Sequence, residues 1–348
     1  MVEVTRIGMD TSKSVFQLHG VDAAERVVLR KKLRRRDVLA FFAKLPPCRV
    51  GMEACGGSHY WARELRVLGH RVELIPPQYV KPYVPRGKHD AADAEGICEA
   101  MSRPKVQQRL VPIKSAEAQA ALMLAGLRER LVRQRTQLIN TIRGYAAEFG
   151  VIAAKGKAKI AALLRRIEGE AAVPEPARAL FAELAEEHAR LEAQIEAIEA
   201  RLMAWHRQDE QSRRLAEIPS IGPIGASFLV LKAPDPQRFR SGRDFAAWIG
   251  LTPKNHSTAG KQRLGVITRA GDETLRSLLV VGATSVIRQV SRGTSRSAPP
   301  WLLALVARKP PKLAAVALAN KVARIAWKLM VSGERYDPAR LAARPATI

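Results

Sequence analysis

The sequence predicts an α/β domain with a mixed sheet, then a long helical arm, then a mainly helical C-terminal domain. Three observations carry this. Residues 4–75 alternate between short apolar runs and segments of helical spacing. Residues 115–207 contain long stretches in which apolar positions recur every three or four residues. Beyond residue 210, Ala- and Leu-rich helical segments are punctuated by Gly- and Pro-rich turns. A chain of 348 residues has room for two or three units. The expected division is 1–112, 113–210 and 211–335, with a tail at 336–348.

In the first part, "VTRIGMD" is a short apolar run ending at Asp10. "SVFQLHGV" follows across the turn "TSK" as the second strand of a hairpin, and "ERVVLRKKL" supplies a third strand. "RRDVLAFFAKL" has helical spacing, with Val38, Leu39, Phe42 and Leu45 on one side. "CRVGME" is a fourth strand ending at Glu53, and "SHYWARELRVLG" a helix stopped by Gly69. "HRVELIP" is a fifth strand, ended by Pro76 and Pro77. "DAADAEGICEAMSRP" lacks strand alternation and is rich in Ala and Glu, so a helix is expected with Asp90 at its cap or first turn.

Two long helices fill the middle, the first closed by Gly150. In the second, Phe181, Leu184, His188, Leu191, Ile195, Ile198, Leu202 and Trp205 follow the heptad spacing of a coiled coil, with His188 as a polar register-setter. The arm is either an intrachain hairpin or a contact between copies. "IPSIGPIGA" then sets Gly222 and Gly225 between apolar flanks, the pattern of a helix-hairpin-helix turn whose amides can hold a phosphate. From Phe245 to Arg288 a loop dense in polar and basic residues separates two apolar segments.

Charge narrows the function. Lys and Arg number 58 against 33 Asp and Glu, a net +25, which favours encounter with polyanions and above all DNA or RNA. The densest run, "LRKKLRRRD" at 29–37, is either a solvated face or a contact for nucleic-acid backbone. The three cysteines, Cys48, Cys55 and Cys98, match no zinc spacing and cannot form a closed disulfide set, which fits a reducing compartment. "MVEVTRIGMD" has no leader pattern. "LAAVALANKVARIAWKLMV" is broken by Asn320, Lys321 and Arg324, so no membrane span is expected. The expected location is the cytoplasm, with action at the nucleoid.

Against this basic background, "GKHDAADAEG" concentrates negative charge. Asp90 and Asp93 are three apart and share a helix face. Two carboxylates that close require a cation, and Mg2+ (with Mn2+ as substitute) is the hard ion that carboxylates, water and phosphate hold. Two such ions about 4 Å apart assist phosphodiester chemistry. Asp10 and Glu53 end the first and fourth strands; if these are neighbours, both carboxylates emerge at one end of the sheet. That order of acids is the one found in ribonuclease H-like nucleases.

Taken in order, "IGMDTSK", "MEACGGSHYWARELRVLGHRVELIPPQYVKPYV", "KHDAADAEGICEA", "IPSIGPIGA" and "GLTPKNHSTAGKQRLGVITRAGDETLRSLLV" resemble the Piv- and MooV-like DEDD transposases of bacterial insertion sequences. The resemblance runs from about Val4 to Trp327. It implies a RuvC-like N-terminal domain whose acidic tetrad is Asp10, Glu53, Asp90 and Asp93, and a C-terminal domain whose nucleophile is Ser257 or its neighbour Thr258. Ala259 stands where the family usually has the first of two glycines. It further implies attack of serine on DNA phosphate with a covalent phosphoserine link, joint action of serine and metal site from different protomers, a homodimer or homotetramer, and a structured guide RNA that selects element ends and target DNA. Lys261, Arg263 and Arg269 flank Ser257 and can neutralise phosphate charge. Two other readings remain: a RuvC-like structure-selective endonuclease that never rejoins, and a non-catalytic nucleic-acid-binding protein.

Overall fold

The computed structural model describes residues 3–84, 90–154, 156–256, 258, 261, 263–295 and 298–338; of Asp90 and Lys157 it describes the backbone alone. The chain divides into two units, 1–120 and 121–348.

The first unit is built on five strands: β1 Arg6–Asp10, β2 Val15–Val21, β3 Val27–Arg34, β4 Arg49–Glu53 and β5 Arg71–Ile75. Their order is β3-β2-β1-β4-β5. β1, β2 and β3 pair antiparallel, while β1, β4 and β5 pair parallel. All five strands were legible from apolar runs bounded by turn residues, and the mixed sheet is consistent with the expected ribonuclease H-like domain. Helices α1 Val38–Phe42 and α2 Ser58–Val67 cover one face. Ile7, Met9, Phe16, Leu18, Leu33, Val50, Met52, Val72 and Leu74 form the core there with Val38, Phe42, Trp61 and Leu65. These strand residues alternate with those of the opposite face, as the pleat requires.

The opposite face takes α4 Asp90–Met101, reached through the short α3 Pro77–Val80. Its strand residues are unusual for a buried face, because two are glycines. Gly8 and Gly51 sit directly opposite each other on β1 and β4. A Cβ on Gly8 would overlap the Ala94 carbonyl oxygen and come within 2.5 Å of the Cys98 amide nitrogen. A Cβ on Gly51 would collide with the Met101 side chain. The missing side chains let the α4 backbone approach the sheet closely. Arg49 Nη2 and Gln107 Nε2 donate to the Met101 carbonyl at 3.2 and 2.9 Å, and Glu73, 3% exposed, accepts from both side chains. A cation at a helix C-terminus is favourably placed, so the far end of α4 is clamped. α5 Pro104–Gln107 supplies that glutamine.

The second unit is helical. α6 Ala116–Glu148, α7 Ile160–Gly169 and α8 Glu175–Gln208 precede α9 Glu210–Ala216, α10 Pro223–Lys232 and α11 Gly242–Trp248. A hairpin of β6 Pro253–Asn255 and β7 Leu264–Ile267 follows, then α12 Glu273–Ser291, α13 Pro300–Arg308 and α14 Pro311–Ser332. α6 and α8 run antiparallel within the chain: Arg128 pairs with Glu199 at 2.6 Å, and further along α6 Arg135 pairs with the earlier Glu192 at 3.2 Å. On α8, Phe181, Leu191, Ile195, Ile198 and Leu202 are buried, with Leu184 and Trp205 packed beside them. His188 is partly buried, its Nε2 3.7 Å from Glu192. Gly150, past α6, has φ 73°, as expected of the residue that stops a helix.

The glycine pair makes a graded expectation. Gly8→Ala pushes a methyl into α4 backbone, which cannot yield without shifting the helix. Gly51→Ala meets a methionine side chain that can swing. Denaturant unfolding should show Gly8→Ala costing about 1–3 kcal/mol or more, and Gly51→Ala less.

Candidate catalytic centre

β1 and β4 are adjacent and parallel, paired from Arg6↔Arg49 to Met9↔Met52. Asp10 and Glu53 are the next residues, so both leave the sheet at its C-terminal edge. Asp10 shares strand parity with Gly8, and Glu53 with Gly51, which places both on the α4 side. α4 begins above that edge. Its Ala94, Ile97, Cys98 and Met101 are buried, and the partly buried Asp93 lies one residue before Ala94. The condition set in the sequence analysis, that strands one and four be neighbours, is therefore fulfilled. Asp90 occupies the first residue of α4, one helical turn from Asp93; its side chain lies outside the described residues.

Glu53 senses two of the other acids. Burial pushes the Glu53 carboxyl above its usual range, and the charges of Asp10 and Asp93 push it the same way. After Glu53 the chain turns sharply: the Ala54 amide donates to the Ile75 carbonyl at 2.8 Å, the Cys55 amide to the Glu53 carbonyl at 2.9 Å, and Gly57 has φ 87° before α2 starts. The exposed Cys55 thiol lies 3.4 Å from the Thr11 hydroxyl, joining the loops that follow β4 and β1.

Among the described residues, no group of three or more His, Cys, Asp and Glu side chains converges closely enough to grip a metal ion. Unneutralised carboxylates repel, and the fourth acid's side chain is outside the described set. The donor chemistry nevertheless fits: the tetrad offers only carboxylates, the ligands of Mg2+ and Mn2+ rather than of softer metals.

The other predicted residues lie in the second unit. Ser257, Ala259, Gly260 and Gln262 are outside the described residues. Around them β6 and β7 form a ribbon, continued by a bridge between Thr258 and Lys261. The His256 amide donates to the Arg263 carbonyl at 2.8 Å, and the Lys261 amide to the Thr258 carbonyl at 3.0 Å. Thr258, Lys261, Arg263 and Arg269 are all exposed. The ribbon's base is fixed. Gly250 (φ 81°) accepts the Arg269 amide at 3.2 Å, and a Cβ on Gly271 (φ 74°) would overlap the Trp248 carbonyl. Arg276 Nη1 donates to the carbonyls of Ile249 and Ala270 at 2.9 and 3.0 Å. Gly222 caps α10 and is exposed, while Gly225 lies inside the first turn of that helix.

Comparison with known proteins decides the family. A model described as a transposase of the IS110 DEDD group matches residues 7–149, which contain Asp10, Glu53, Asp90 and Asp93. A second, described as the transposase IS116/IS110/IS902 family, matches 212–297, which contain Gly222, Gly225 and Ser257. A Sinorhizobium fredii protein whose name describes it as a transposase is 64% identical over 97% of this chain and 87% of its own length. The chain belongs to the DEDD transposases of the IS110 family. The Yersinia enterocolitica transposase for insertion sequence element IS1328 is 39% identical, covering 97% of this chain and all of its own. That for element IS1111A of Coxiella burnetii is 37% identical, over 97% and 92%. As an insertion-sequence transposase of this family, the protein is a DNA-processing enzyme with DNA as its partner. No helix among the described residues is long and apolar enough to cross a membrane.

Sequence reasoning passed over the two glycines. The signal was present: "GMD" at 8–10 and "GME" at 51–53 repeat one pattern, glycine, a core methionine, then an acid.

Because the Glu53 pKa is raised in the folded state, the metal-free protein holds that proton more tightly than the unfolded chain does. The resulting stabilisation is fully present below the ordinary value of 4.5 and is lost as pH rises through the folded pKa. At neutral pH the acid cluster is thus a stability cost. Thermal unfolding in EDTA at pH 7.5 should give Asp93→Asn a higher Tm than the natural protein. Millimolar Mg2+ should raise the Tm of the natural protein and raise that of the variant less.

Proposed function

We propose that this transposase cuts DNA and exchanges strands with a serine nucleophile, assisted by divalent metal at Asp10, Glu53, Asp90 and Asp93. The observation that supports this most is the pairing of parallel β1 and β4, whose ends set Asp10 and Glu53 side by side at one edge of the sheet, where burial first and then the charges of Asp10 and Asp93 raise the Glu53 carboxyl. An enzyme keeps such a cluster where a cation and a phosphate are to be bound together. Asp10, Glu53, Asp90 and Asp93 would hold Mg2+ (two ions, with Mn2+ as substitute), which would supply Lewis-acid stabilisation of charge at the phosphoryl group.

The nucleophile in this reading is the Ser257 hydroxyl. Its Oγ forms a bond to phosphorus as the bond from phosphorus to a deoxyribose oxygen breaks. The serine proton leaves with solvent or a nearby base, and the departing sugar oxygen takes up a proton. Lys261 and Arg263, exposed on the same ribbon, and Arg269 at its base offset the phosphate's negative charge. The DNA stays linked to the protein until a second strand's hydroxyl displaces the serine.

Several further features belong to the proposal. The chain works in three parts, 1–112, 113–210 and 211–335, with 336–348 as a tail. α6 and α8 form a coiled-coil arm that helps assemble a homodimer or homotetramer, so that the serine of one protomer serves the acids of another. The turn around Gly222 and Gly225 is a helix-hairpin-helix element holding backbone phosphate through main-chain amides. A structured RNA from the element selects donor and target DNA, which would relieve the protein of base-reading contacts. The protein acts in the cytoplasm, at the nucleoid.

The test incubates the purified transposase with element-end DNA, flanking-region RNA and Mg2+, then resolves products on denaturing gels. Natural protein should yield protein-linked DNA. Ser257→Ala should abolish that adduct, a loss of at least about 10³-fold, while leaving DNA binding intact. Glu53→Gln should abolish strand breakage altogether. Strand breaks that persist undiminished in Ser257→Ala, with no adduct from natural protein, would instead establish a nuclease that hydrolyses without rejoining.

A further inference from the structure

The basic run that follows the β2–β3 turn does not act as one patch. Strand alternation splits it between the two faces of the sheet. On the face covered by α1 and α2, Leu33 is buried, Lys31 Nζ lies 4.7 Å from the Phe41 ring centre, and the Arg35 guanidinium lies 4.9 Å from that of Trp61. Those two cations are held over aromatic rings. On the other face stand Arg30, Lys32 and Arg34, opposite His19, Gln17 and Val15 of β2. All three are exposed, and among the described residues none has a carboxylate within 4 Å. Arg30 acts on His19 through space, helping to hold that imidazole's pKa below its ordinary value after burial has lowered it.

This second face is the one that carries the acids. Asp10 pairs with Gln17, and Gln17 pairs with Lys32. Lys32, Gln17 and Asp10 therefore form one row across three strands, with Glu53 following on the fourth. Neighbouring strands are about 4.8 Å apart, so Lys32 and Asp10 are roughly 10 Å apart at Cα. α4 packs on this face against β1 and β2, through Ala94 and Cys98 at Gly8 and through Glu95, which lies 3.9 Å from His19. β3 is the outer strand of the sheet, beyond that cover. Its alternate residues repeat at about 6.8 Å, so the three cations span roughly 14 Å. A nucleic-acid strand carries one phosphate per 3.4 Å of axial rise, so that length corresponds to about four nucleotides.

We propose that Arg30, Lys32 and Arg34 form a phosphate-binding ladder for the DNA strand about to be cut, leading it along the edge of the sheet to Asp10, Glu53 and Asp93. The inference rests on the reading of those acids as the cutting centre. Charge complementarity identifies the occupant as a polyanion, and the shared row with Asp10 identifies it as the strand whose phosphate reaches the acids. The contacts are to phosphate and carry no base readout.

The test measures binding of full-length protein to element-end DNA by fluorescence anisotropy, in EDTA and across a salt series, so that no catalysis is required. The triple variant R30Q/K32Q/R34Q should bind duplex DNA on the order of a hundredfold more weakly at 0.15 M salt, and its log–log salt slope should fall by about 2.7, the effect of three lost phosphate contacts. The control K31Q/R35Q/R36Q removes the same charge, most of it from the opposite face, and should change affinity less than about threefold, the residual expected of a distant, screened charge. If the triple variant fails to fold, each single substitution should still reduce the slope by about 0.9. An unchanged slope, or equal losses in the two triple variants, overturns the ladder. So does a loss confined to an RNA of matched length, which would assign the ladder to RNA. Strand breakage by the natural protein is scored separately: its presence with a failed ladder leaves the cutting centre standing, whereas its absence with an intact ladder removes the cutting centre alone.

Discussion

The close approach of α4 to β1 and β4 is the constraint on which the rest of the first unit depends. Two side chains are absent where a helix meets a sheet: the helix backbone occupies the space a side chain on Gly8 would have filled, and the Met101 side chain that of Gly51. With α4 clamped at its C-terminal end by Arg49 and Gln107, its N-terminal turn is delivered to the edge where β1 and β4 end. Backbone contact is a stricter positioning device than side-chain packing, because a helix touching a strand through glycine cannot slide without a clash. The same contact brings like charge together at a half-buried edge, and burial first, then the charges of Asp10 and Asp93, raises the Glu53 pKa.

Function and stability are set against each other here. An isolated cluster of carboxylates weakens a fold, yet this one is built by a contact close enough that a Cβ on Gly8 would overlap the helix backbone. The opposite charge is distributed. Lys31 on β3 and Arg35 just beyond it lie over aromatic rings on one face, while Arg30, Lys32 and Arg34 take open positions on the other. The large net charge of the chain is thus divided between packing and surface contact, and composition alone cannot separate the two.

Much of this was legible in the sequence. Strand-length apolar runs ending at Asp10 and Glu53 marked the strands, whereas the neighbouring of β1 and β4 was a condition that the sheet order supplies. The helix at Asp90–Met101 was recognised from Ala and Glu content, and the middle helices from heptad spacing at Phe181 to Trp205. Other features were hidden for physical reasons. "PKN" at 253–255 and "LGVI" at 264–267 are short, and their strand character comes from pairing across the loop that contains Ser257, not from local propensity. Gly8 and Gly51 carry no meaning until the helix packed against each is known. The short helices at Pro77–Val80 and Pro104–Gln107 are set by proline at a first helical position, too brief to register as a periodic pattern. The pairing of α6 with α8 within the chain rests on Arg128–Glu199 and Arg135–Glu192, which no single-sequence periodicity specifies.

The central proposal is that the ends of β1 and β4 and the first turn of α4 together hold divalent metal. Iron-directed cleavage tests it most directly. Fe2+ is supplied in place of Mg2+ with ascorbate and peroxide, and backbone breaks are mapped by mass spectrometry. The account requires breaks clustered near Asp10, Glu53 and Asp93, competed away by excess Mg2+. Breaks elsewhere, or at these segments but indifferent to Mg2+, would contradict it.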